Sequence, residues 1–472
     1  MRLIVIALIV FVHRLIILIN SHLTFYSDDA IYAEIARFWI QGKFNLVFHP
    51  TWQPLYPALS ALTYLLVGSW EDSLRLVSTI AGTLLIFPLY FLAKKFTSSA
   101  LAIIFTFAFS FLTPVIKISL FPQSDMLATL LVVSGLAAFV YRRFYLAPLL
   151  FGLAYLTRSE GLMFFALSLP FLVLRATFRK LPIYLLIFFL TISPYWLATK
   201  AQAGSWSLSQ KASAQLKQGQ AFQINKVGTT WSQEVVSVKS PNYKSEYFRG
   251  GITHVLEYSD WFWFWFKQKL SNWKIIFLTN FPSWSLPIIL IGTTTAFLPF
   301  GLLIGITITI FATPIADIRY LLWADVLLLL FFFIGIKRLK LPPIIAVLVT
   351  LFFPAFNYQN LVNPISLAQD FTNNFYREEI KMAGEWLAKN SKVSEPKIMM
   401  RHEGVEFYSD GFTVYTPQGL TIPQTTEYAK KNRVDYLVAW TEELSDDQDF
   451  SLPKPVFKYP ENFPKIIIYQ IP

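Results

Sequence analysis

The feature that most constrains this chain is a series of long apolar segments separated by short loops that carry lysine and arginine. Of its 472 residues, 54% are hydrophobic and only 15% are charged, a balance that soluble domains rarely show. An α-helix needs about 20 apolar residues to cross a bilayer. Segments near this length recur along residues 1–356. The sequence therefore predicts an all-α, polytopic membrane protein over this range.

The distribution of basic residues predicts the orientation of the spans, because lysine and arginine concentrate in cytoplasmic loops. Arg2 opens the first apolar segment and Lys94-Lys95 close the second. We therefore place the N-terminus in the cytoplasm and residues 21–72 outside, with a second outer loop at 200–272. The first segment has no small-residue cleavage site and is predicted to be a retained span. The eleven predicted spans are 1–20, 73–93, 98–117, 125–141, 144–157, 160–174, 181–199, 275–293, 297–313, 320–336 and 341–356.

Composition also excludes some classes of function. The net charge of +11 arises largely in short loops beside the spans, which indicates contact with lipid phosphates rather than with nucleic acid. Cysteine is absent, so disulfides, thiolate nucleophiles and thiolate metal ligands are excluded.

The segment 357–472 is predicted to be a small, soluble, extracytoplasmic domain. Helical spacing runs over 376–390, and strand patterns occupy 397–400, 435–440 and 465–469. Alternation of a helix with strands predicts an α/β layer.

The most informative polar stretch follows the first span, where Asp28 and Asp29 are adjacent. Two carboxylates at a membrane surface are suited to proton abstraction or metal binding on a substrate that is half in lipid. Alternatively, they cap a helix over 30–40, because acidic residues favour a helix N-terminus. His49 lies in the same loop, so a His/Asp metal site is conceivable, although the spacing is not a ligand signature.

Four segments, in order, resemble the GT-C glycosyltransferases, a superfamily that includes protein O-mannosyltransferases and the bacterial transferases that attach aminoarabinose to lipid A. The resemblance covers residues 1–356. Its segments are Ser27-Asp-Asp-Ala-Ile-Tyr-Ala-Glu-Ile-Ala36 with Pro54-Leu-Tyr-Pro57, Phe121-Pro-Gln-Ser-Asp125, Leu153-Ala-Tyr-Leu-Thr-Arg158-Ser-Glu160-Gly161 and Ile318-Arg319-Tyr320-Leu-Leu322.

The resemblance implies an inverting transferase that moves a sugar from a polyprenyl-phosphate donor, dolichyl or undecaprenyl, to an acceptor at the outer membrane face. The acceptor is a glycan, a lipid or a protein. The matching positions make Asp28 the catalytic base and Asp29 a second carboxylate or metal partner, and exchange of these two roles stays open. The resemblance also implies substrate-binding roles for Asp125, Arg158, Glu160, Arg319, Tyr320 and Tyr56.

Each of these roles has a plainer alternative. Asp125 is expected to bind the acceptor or a divalent ion, or merely to cap the fourth span. Arg158 and Arg319 are candidates for the donor phosphate, or they anchor span ends by snorkelling. Glu160 is expected to pair with Arg158. A divalent metal, if used, would draw on Asp29, Asp125 or His49.

Two rival functions remain open at this point. A transporter or flippase of a lipid-linked saccharide would place polar residues deep in the spans, and Asp317 and Asp325 favour it. A non-catalytic subunit of an envelope-assembly complex would tolerate loss of Asp28 and Asp29.

Overall fold

A computed structural model describes residues 2–49, 51–174, 178–203, 281, 283–293, 322–353, 356–400, 403–416, 422–441, 454–462 and 464–472. Within these ranges the chain forms two compact units. The first unit contains residues 2–21 and 53–198 and the described residues between 281 and 370. The second contains residues 22–52 and 199–203 and the described residues from 371 onward.

Between residues 2 and 203, the regular elements that the structure describes are helices. The α-helices are α1 Arg2–Ile19, α2 Asp28–Gln41, α3 Leu55–Val67, α4 Trp70–Leu84, α5 Ile86–Phe96, α6 Ser99–Ser110, α7 Thr113–Ile118, α8 Asp125–Val140, α9 Leu146–Tyr155, α10 Glu160–Leu174 and α11 Leu181–Ala203. Further helices, identified below by their bounds, are Leu286–Thr293, Leu322–Arg338, Pro343–Leu351, Tyr358–Val362, Pro364–Phe375, Glu378–Asn390, Gly404–Ser409 and Ile422–Lys431.

Membrane character is visible in the apolar helices of the first unit. Three stretches are long and apolar enough to cross a bilayer, namely Arg2–Ile19, Trp70–Phe96 and Phe178–Gln202. Large apolar side chains on these stretches face outward, among them Leu8, which is 57% exposed, and Leu190, which is 62% exposed. An outward apolar surface of this kind fits hydrocarbon rather than water. Together these features indicate a membrane location.

The predicted count of eleven spans remains a prediction. Besides the three long stretches, five shorter apolar helices lie at 55–67, 99–110, 125–140, 146–155 and 160–172. Spans predicted at 320–336 and 341–356 overlap the helices Leu322–Arg338 and Pro343–Leu351. The span predicted at 297–313 and most of the loop predicted at 200–272 lie outside the described residues.

The predicted outer loop at 21–72 contains two helices, and the sequence analysis missed the second of them. Helix α3, Leu55–Val67, has only 13 residues, fewer than the roughly 20 that a span requires, so a search by length passes over it. Pro57 lies in its first turn, where the missing N–H of proline costs nothing. Gly68 ends the helix at φ +76°, a left-handed conformation that glycine adopts without strain.

The second unit contains a five-stranded sheet, which confirms the predicted C-terminal α/β layer. Its strands are β1 Lys397–Met400, β2 Phe412–Tyr415, β3 Tyr436–Trp440, β4 Pro455–Tyr459 and β5 Ile466–Gln470, in the spatial order β2-β1-β3-β5-β4. Strand β1 pairs in parallel with β2 and β3, whereas β5 pairs antiparallel with β3 and β4. Sequence analysis found β1, β3 and β5, the most buried strands, and missed β2 and β4.

Helices cover both faces of this sheet because alternate strand residues point to opposite sides. Ile398 and Met400 pack on one face with the helices Glu378–Asn390 and Gly404–Ser409. Met399 packs on the other face with Ala429 of the helix Ile422–Lys431. The sheet is therefore the middle layer of three, and the helix Gly404–Ser409 lies on the same face as the helix Glu378–Asn390.

Candidate active site

The segment that leads to the acidic pair has no regular secondary structure, yet its backbone is held at every residue from Thr24 to Ser27. The Thr24 N–H donates to the carbonyl oxygen of Phe375, at 3.4 Å. The Phe25 N–H donates to the Tyr408 hydroxyl, at 3.1 Å. The next two amides donate to the carboxylate of Asp29. Since a buried amide without an acceptor is costly, these four bonds fix the path of the chain into α2.

Asp29 holds the turn that precedes the helix. Its Oδ2 accepts from the Tyr26 N–H at 3.1 Å, and its Oδ1 accepts from the Ser27 N–H at 2.6 Å. The side chain is buried, and burial raises the pKa of Asp29 to about 6 against the opposing effect of these two hydrogen bonds. Both carboxylate oxygens are thus engaged by backbone immediately before the helix.

Asp28 has a different environment from its neighbour. It is the first residue of α2 and is half-buried, and its Oδ1 accepts a hydrogen bond from the Trp52 indole N–H at 3.2 Å. Indole is a neutral donor, so it orients the carboxylate without neutralising its charge. Within the described ranges, no ion pair involves Asp28 or Asp29. The capping alternative fits only in part, because Ser27 makes no side-chain cap bond at this helix start.

His49 supports the indole that holds Asp28. Its ring lies 4.7 Å from the Trp52 ring, centroid to centroid, and its Nδ1 accepts the Thr51 N–H at 3.1 Å. Burial lowers the pKa of His49 to about 3, so the imidazole is neutral at physiological pH. With Nδ1 accepting, the ring proton resides on Nε2.

Two of the candidate metal donors in this loop, Asp29 and His49, are engaged by backbone amides. Both oxygens of Asp29 accept hydrogen bonds from backbone amides, and His49 Nδ1 accepts one from the Thr51 N–H. Across the described part of the chain, no group of three His, Asp or Glu residues is placed to hold a metal. The use of a divalent metal, which the sequence left open, stays open, and no chemical step below passes through one.

A second acidic cluster lies in the helical unit. Asp125, the first residue of α8, is buried, and its Oδ1 lies 3.0 Å from Arg158 Nη1. Arg158 also donates to Glu160 Oε1, from Nε at 3.0 Å and from Nη2 at 2.7 Å. The predicted pairing of Arg158 with Glu160 is therefore confirmed. One guanidinium serves two carboxylates, and the cluster has a formal charge of −1.

The remaining predicted residues lie elsewhere. Tyr56 is fully buried, and its hydroxyl donates to the Leu74 carbonyl at 2.8 Å and lies 3.1 Å from Ser78 Oγ, so it joins α3 to α4. Its predicted contact with a sugar gains no support from this placement. Arg319 and Tyr320 lie outside the described residues.

Sequence reasoning missed two buried residues whose polar groups hold other parts of the chain. Trp52 donates to Asp28, and only its presence in the same loop signalled a role. Arg75 is buried in α4, where it donates to the carbonyl oxygens of Ser21 and Leu120 and to the Ser21 hydroxyl. An arginine inside an apolar segment was a signal available in the sequence.

Comparison with known proteins gives fold likenesses only. No protein-family model matches the chain, and no curated protein matches its sequence. Among solved structures, the apo oligosaccharyltransferase of Archaeoglobus fulgidus is similar at 14% identity with a TM-score of 0.57, over 93% of this chain and 69% of that one. The same archaeal protein, AglB, in complex with an inhibitory peptide and dolichol-phosphate, is similar at 13% identity with a TM-score of 0.55, over 92% and 68%.

A bacterial structure matches almost end to end. ArnT from Cupriavidus metallidurans, bound to undecaprenyl phosphate, is similar at 13% identity with a TM-score of 0.55, over 99% of this chain and 97% of that one. At such identities a likeness concerns the fold. The GT-C resemblance drawn from the motifs is confirmed at the level of the fold, which this chain shares with the archaeal oligosaccharyltransferase and ArnT structures.

Proposed function

We propose that this protein is an inverting glycosyltransferase that moves a sugar from a polyprenyl-phosphate donor to an acceptor hydroxyl at the outer face of the membrane. The observation that carries the proposal is the near end-to-end fold likeness to ArnT, a structure bound to undecaprenyl phosphate. The archaeal likeness supports the same donor class, because one of those structures contains dolichol-phosphate.

Asp28 is the proposed base. A carboxylate that is partly open to solvent can accept the proton of an acceptor hydroxyl, a contribution of on the order of 10²–10⁴-fold in rate. Asp28 is half-buried and is oriented by a neutral donor, whereas Asp29 has both oxygens on backbone amides. This contrast supports Asp28 as the base and Asp29 as the residue that positions it.

The proposed reaction balances without a cofactor. The acceptor oxygen attacks the anomeric carbon from the face opposite the phosphate, and its proton passes to Asp28. The bond between that carbon and the phosphate oxygen breaks, and the electron pair leaves with polyprenyl phosphate. One displacement inverts the anomeric configuration, and the base returns its proton to solvent.

The leaving phosphate requires a cation, for which arginine is suited by its planar fork of donors. Arg158 already serves Asp125 and Glu160, and two carboxylates beside one guanidinium repel a phosphate. We therefore propose Arg319, rather than Arg158, as the residue that binds the phosphate. The acceptor is a glycan, a lipid or a protein.

The proposed orientation places this chemistry outside the cell. Arg2 and Lys94-Lys95 assign the N-terminus to the cytoplasm, which puts residues 22–52 and the α/β layer outside. Donor and acceptor then meet where no cytosolic nucleotide is available, which is consistent with a sugar that arrives on a lipid.

The transporter alternative is less consistent with where the buried charges lie. Arg75 is the sixth residue of α4, Asp125 begins α8, and Asp325 is the fourth residue of the helix Leu322–Arg338. Each lies near the end of its helix that the predicted topology assigns to the outer side. A transport path would also need charged or polar groups toward the opposite ends.

The test uses purified protein in lipid nanodiscs with a panel of labelled undecaprenyl- and dolichyl-phosphate sugars and an added envelope extract. Release of free polyprenyl phosphate and transfer of label are compared between the wild type and Asp28→Asn, with Asp370→Asn as an exposed carboxylate control. Turnover of one donor that only Asp28→Asn abolishes supports the proposal. No turnover of any donor despite saturable lipid binding contradicts it and favours transport.

A further inference from the structure

The helix Gly404–Ser409 of the α/β layer packs against the segment that carries the acidic pair. The Phe25 ring lies edge-on to the Phe407 ring at 5.0 Å and roughly parallel to the Tyr408 ring at 6.2 Å, between centroids. The Phe25 backbone N–H donates to the Tyr408 hydroxyl at 3.1 Å. Phe25 itself is fully buried. A helix nearly 380 residues away in sequence therefore holds the chain three residues before Asp28.

The approach is closest at Gly404. A Cβ atom placed there would lie 2.2 Å from the Phe25 carbonyl oxygen, a distance that no side chain tolerates without a shift of backbone. Glycine at this position is therefore required by the close contact with the Phe25 carbonyl. Backbone packing this close indicates that the segment around Phe25 has a fixed position against the helix Gly404–Ser409.

A second contact engages the body of α2. The Arg37 guanidinium lies 4.0 Å above the Phe407 ring, and its Nη2 donates to the Phe407 carbonyl at 3.0 Å. Its Nη1 lies 3.1 Å from Glu34 Oε2 on the same helix and 3.3 Å from Asp410 Oδ1. The Arg37 side chain is 18% exposed, so these contacts are largely removed from water. The segment just before α2 and the body of α2 therefore both contact the helix Gly404–Ser409.

We propose that the helix Gly404–Ser409 is a platform that positions the Asp28 carboxylate for catalysis, with Tyr408 and Arg37 as positioning residues. This inference rests on the proposed function, in which Asp28 is the base. It assigns to the C-terminal α/β layer an effect on the catalytic step. A platform that aims the base affects kcat, because misplacement of a reacting group by about 1 Å can cost on the order of a hundredfold in rate.

The decisive variant is Tyr408→Phe, which removes one hydroxyl and keeps the ring. It leaves the Phe25 amide without its acceptor, while Tyr428→Phe, in the helix Ile422–Lys431, removes a hydroxyl on the opposite face of the sheet. We expect Tyr408→Phe to lower kcat about tenfold with KM within twofold of wild type, and Tyr428→Phe to change neither. Tenfold in rate corresponds to about 1.4 kcal/mol in the barrier.

Hydrogen–deuterium exchange gives a readout that needs no substrate. In Tyr408→Phe we expect amides of residues 24–27 to exchange at least about tenfold faster, with α3 unchanged. Arg37→Gln should show the same pattern, Arg37→Lys should restore part of kcat, and exposed Arg433→Gln serves as the matched control.

The outcomes separate this inference from the proposed function. Faster exchange at residues 24–27 together with a selective loss of kcat supports the platform. Wild-type exchange, or wild-type kcat in both Tyr408→Phe and Arg37→Gln while Asp28→Asn is inactive, overturns the platform and leaves the transferase standing. Full activity in Asp28→Asn overturns the proposed function, and with it the catalytic role of the platform, whatever the exchange rates.

Discussion

Asp28 and Asp125 are each the first residue of a helix, but their electrostatic surroundings differ. Each follows a serine at the N-cap, and neither serine makes a side-chain cap bond. Asp28 is half-buried and accepts from a neutral indole, whereas Asp125 is buried against the Arg158 guanidinium at 3.0 Å. A carboxylate without a cation remains a proton acceptor at a solvent boundary, while one that is ion-paired is stabilised as a charge. The tertiary partner, rather than the local Ser-Asp motif, decides which chemistry is available.

The largest expected effect tests this contrast in activity. Asp28→Asn removes the proposed base and should lower turnover by on the order of 10²–10⁴-fold. Glu160→Gln, in the second cluster, should lower it less than about tenfold, because Arg158 keeps its pairing with Asp125. Both are measured as release of polyprenyl phosphate at saturating donor. Equal losses in the two variants would falsify the distinction between the clusters.

The next effect tests the contrast in stability. Arg158→Gln leaves the buried Asp125 carboxylate near Glu160 without their shared cation. Breaking a buried pair from one side typically costs about 3–5 kcal/mol, and we expect the lower end because the Glu160 side chain is 27% exposed. Thermal unfolding in detergent measures the loss, with exposed Arg143→Gln as the control.

A double variant then identifies the cause. Adding Asp125→Asn to Arg158→Gln removes the uncompensated charge, and most of the lost stability should return. If the double variant is as unstable as the single one, packing rather than charge explains the effect, and the comparison between the clusters fails at this point.

The fold was largely predictable because its signals are local, and the site was not. Span-length apolar runs and the central strands β1, β3 and β5 follow from patterns within a few residues. The grouping of residues 22–52 with the C-terminal α/β layer depends on contacts such as that of Gly404 with the Phe25 carbonyl, which no local pattern encodes. The same is true of Trp52 and Asp28, whose hydrogen bond spans 24 residues.

The two aspartates illustrate the same limit at shorter range. The sequence alone does not distinguish the surroundings of Asp28 from those of Asp29, so exchange of their roles stayed open. Only the fold of the turn shows that Asp29 bends back to the Tyr26 and Ser27 amides and that Asp28 meets Trp52. The proposed roles depend on these tertiary and backbone hydrogen bonds, which side-chain type does not determine.

A smaller effect concerns the pH dependence of stability that arises from His49, a residue of the same loop as Trp52, the hydrogen-bond donor to Asp28. The pKa of His49 is about 3 in the folded protein and 6.5 as the reference value for an unperturbed histidine. Below pH 6.5, His49 is protonated in the unfolded chain but stays neutral in the folded protein. The stability of the fold therefore decreases as pH falls, by at most about 1.4 kcal/mol per pH unit. His49→Asn, whose Oδ1 can replace Nδ1 as acceptor for Thr51, should remove this slope. Melting temperatures between pH 5 and pH 7 measure it, and an unchanged slope would contradict the buried neutral imidazole.

The smallest effect runs in the opposite direction and comes from Asp29. Its pKa is raised from 3.8 to about 6 by burial, so between these values the folded protein keeps a proton that the unfolded chain has lost. Stability from this group therefore falls as pH rises through that window, and the slope spans a narrower range than that of His49. In the wild type the two contributions to stability oppose each other between about pH 4 and pH 6, so the contribution of His49 is measured as the difference between the wild-type and His49→Asn profiles. In the His49→Asn background the Asp29 slope should appear alone, and adding Asp29→Asn should flatten the profile between about pH 4 and pH 6. If the profile is already flat before Asp29 is changed, the carboxylate titrates as in water, and the turn before Asp28 is not the closed structure that its two amide bonds describe.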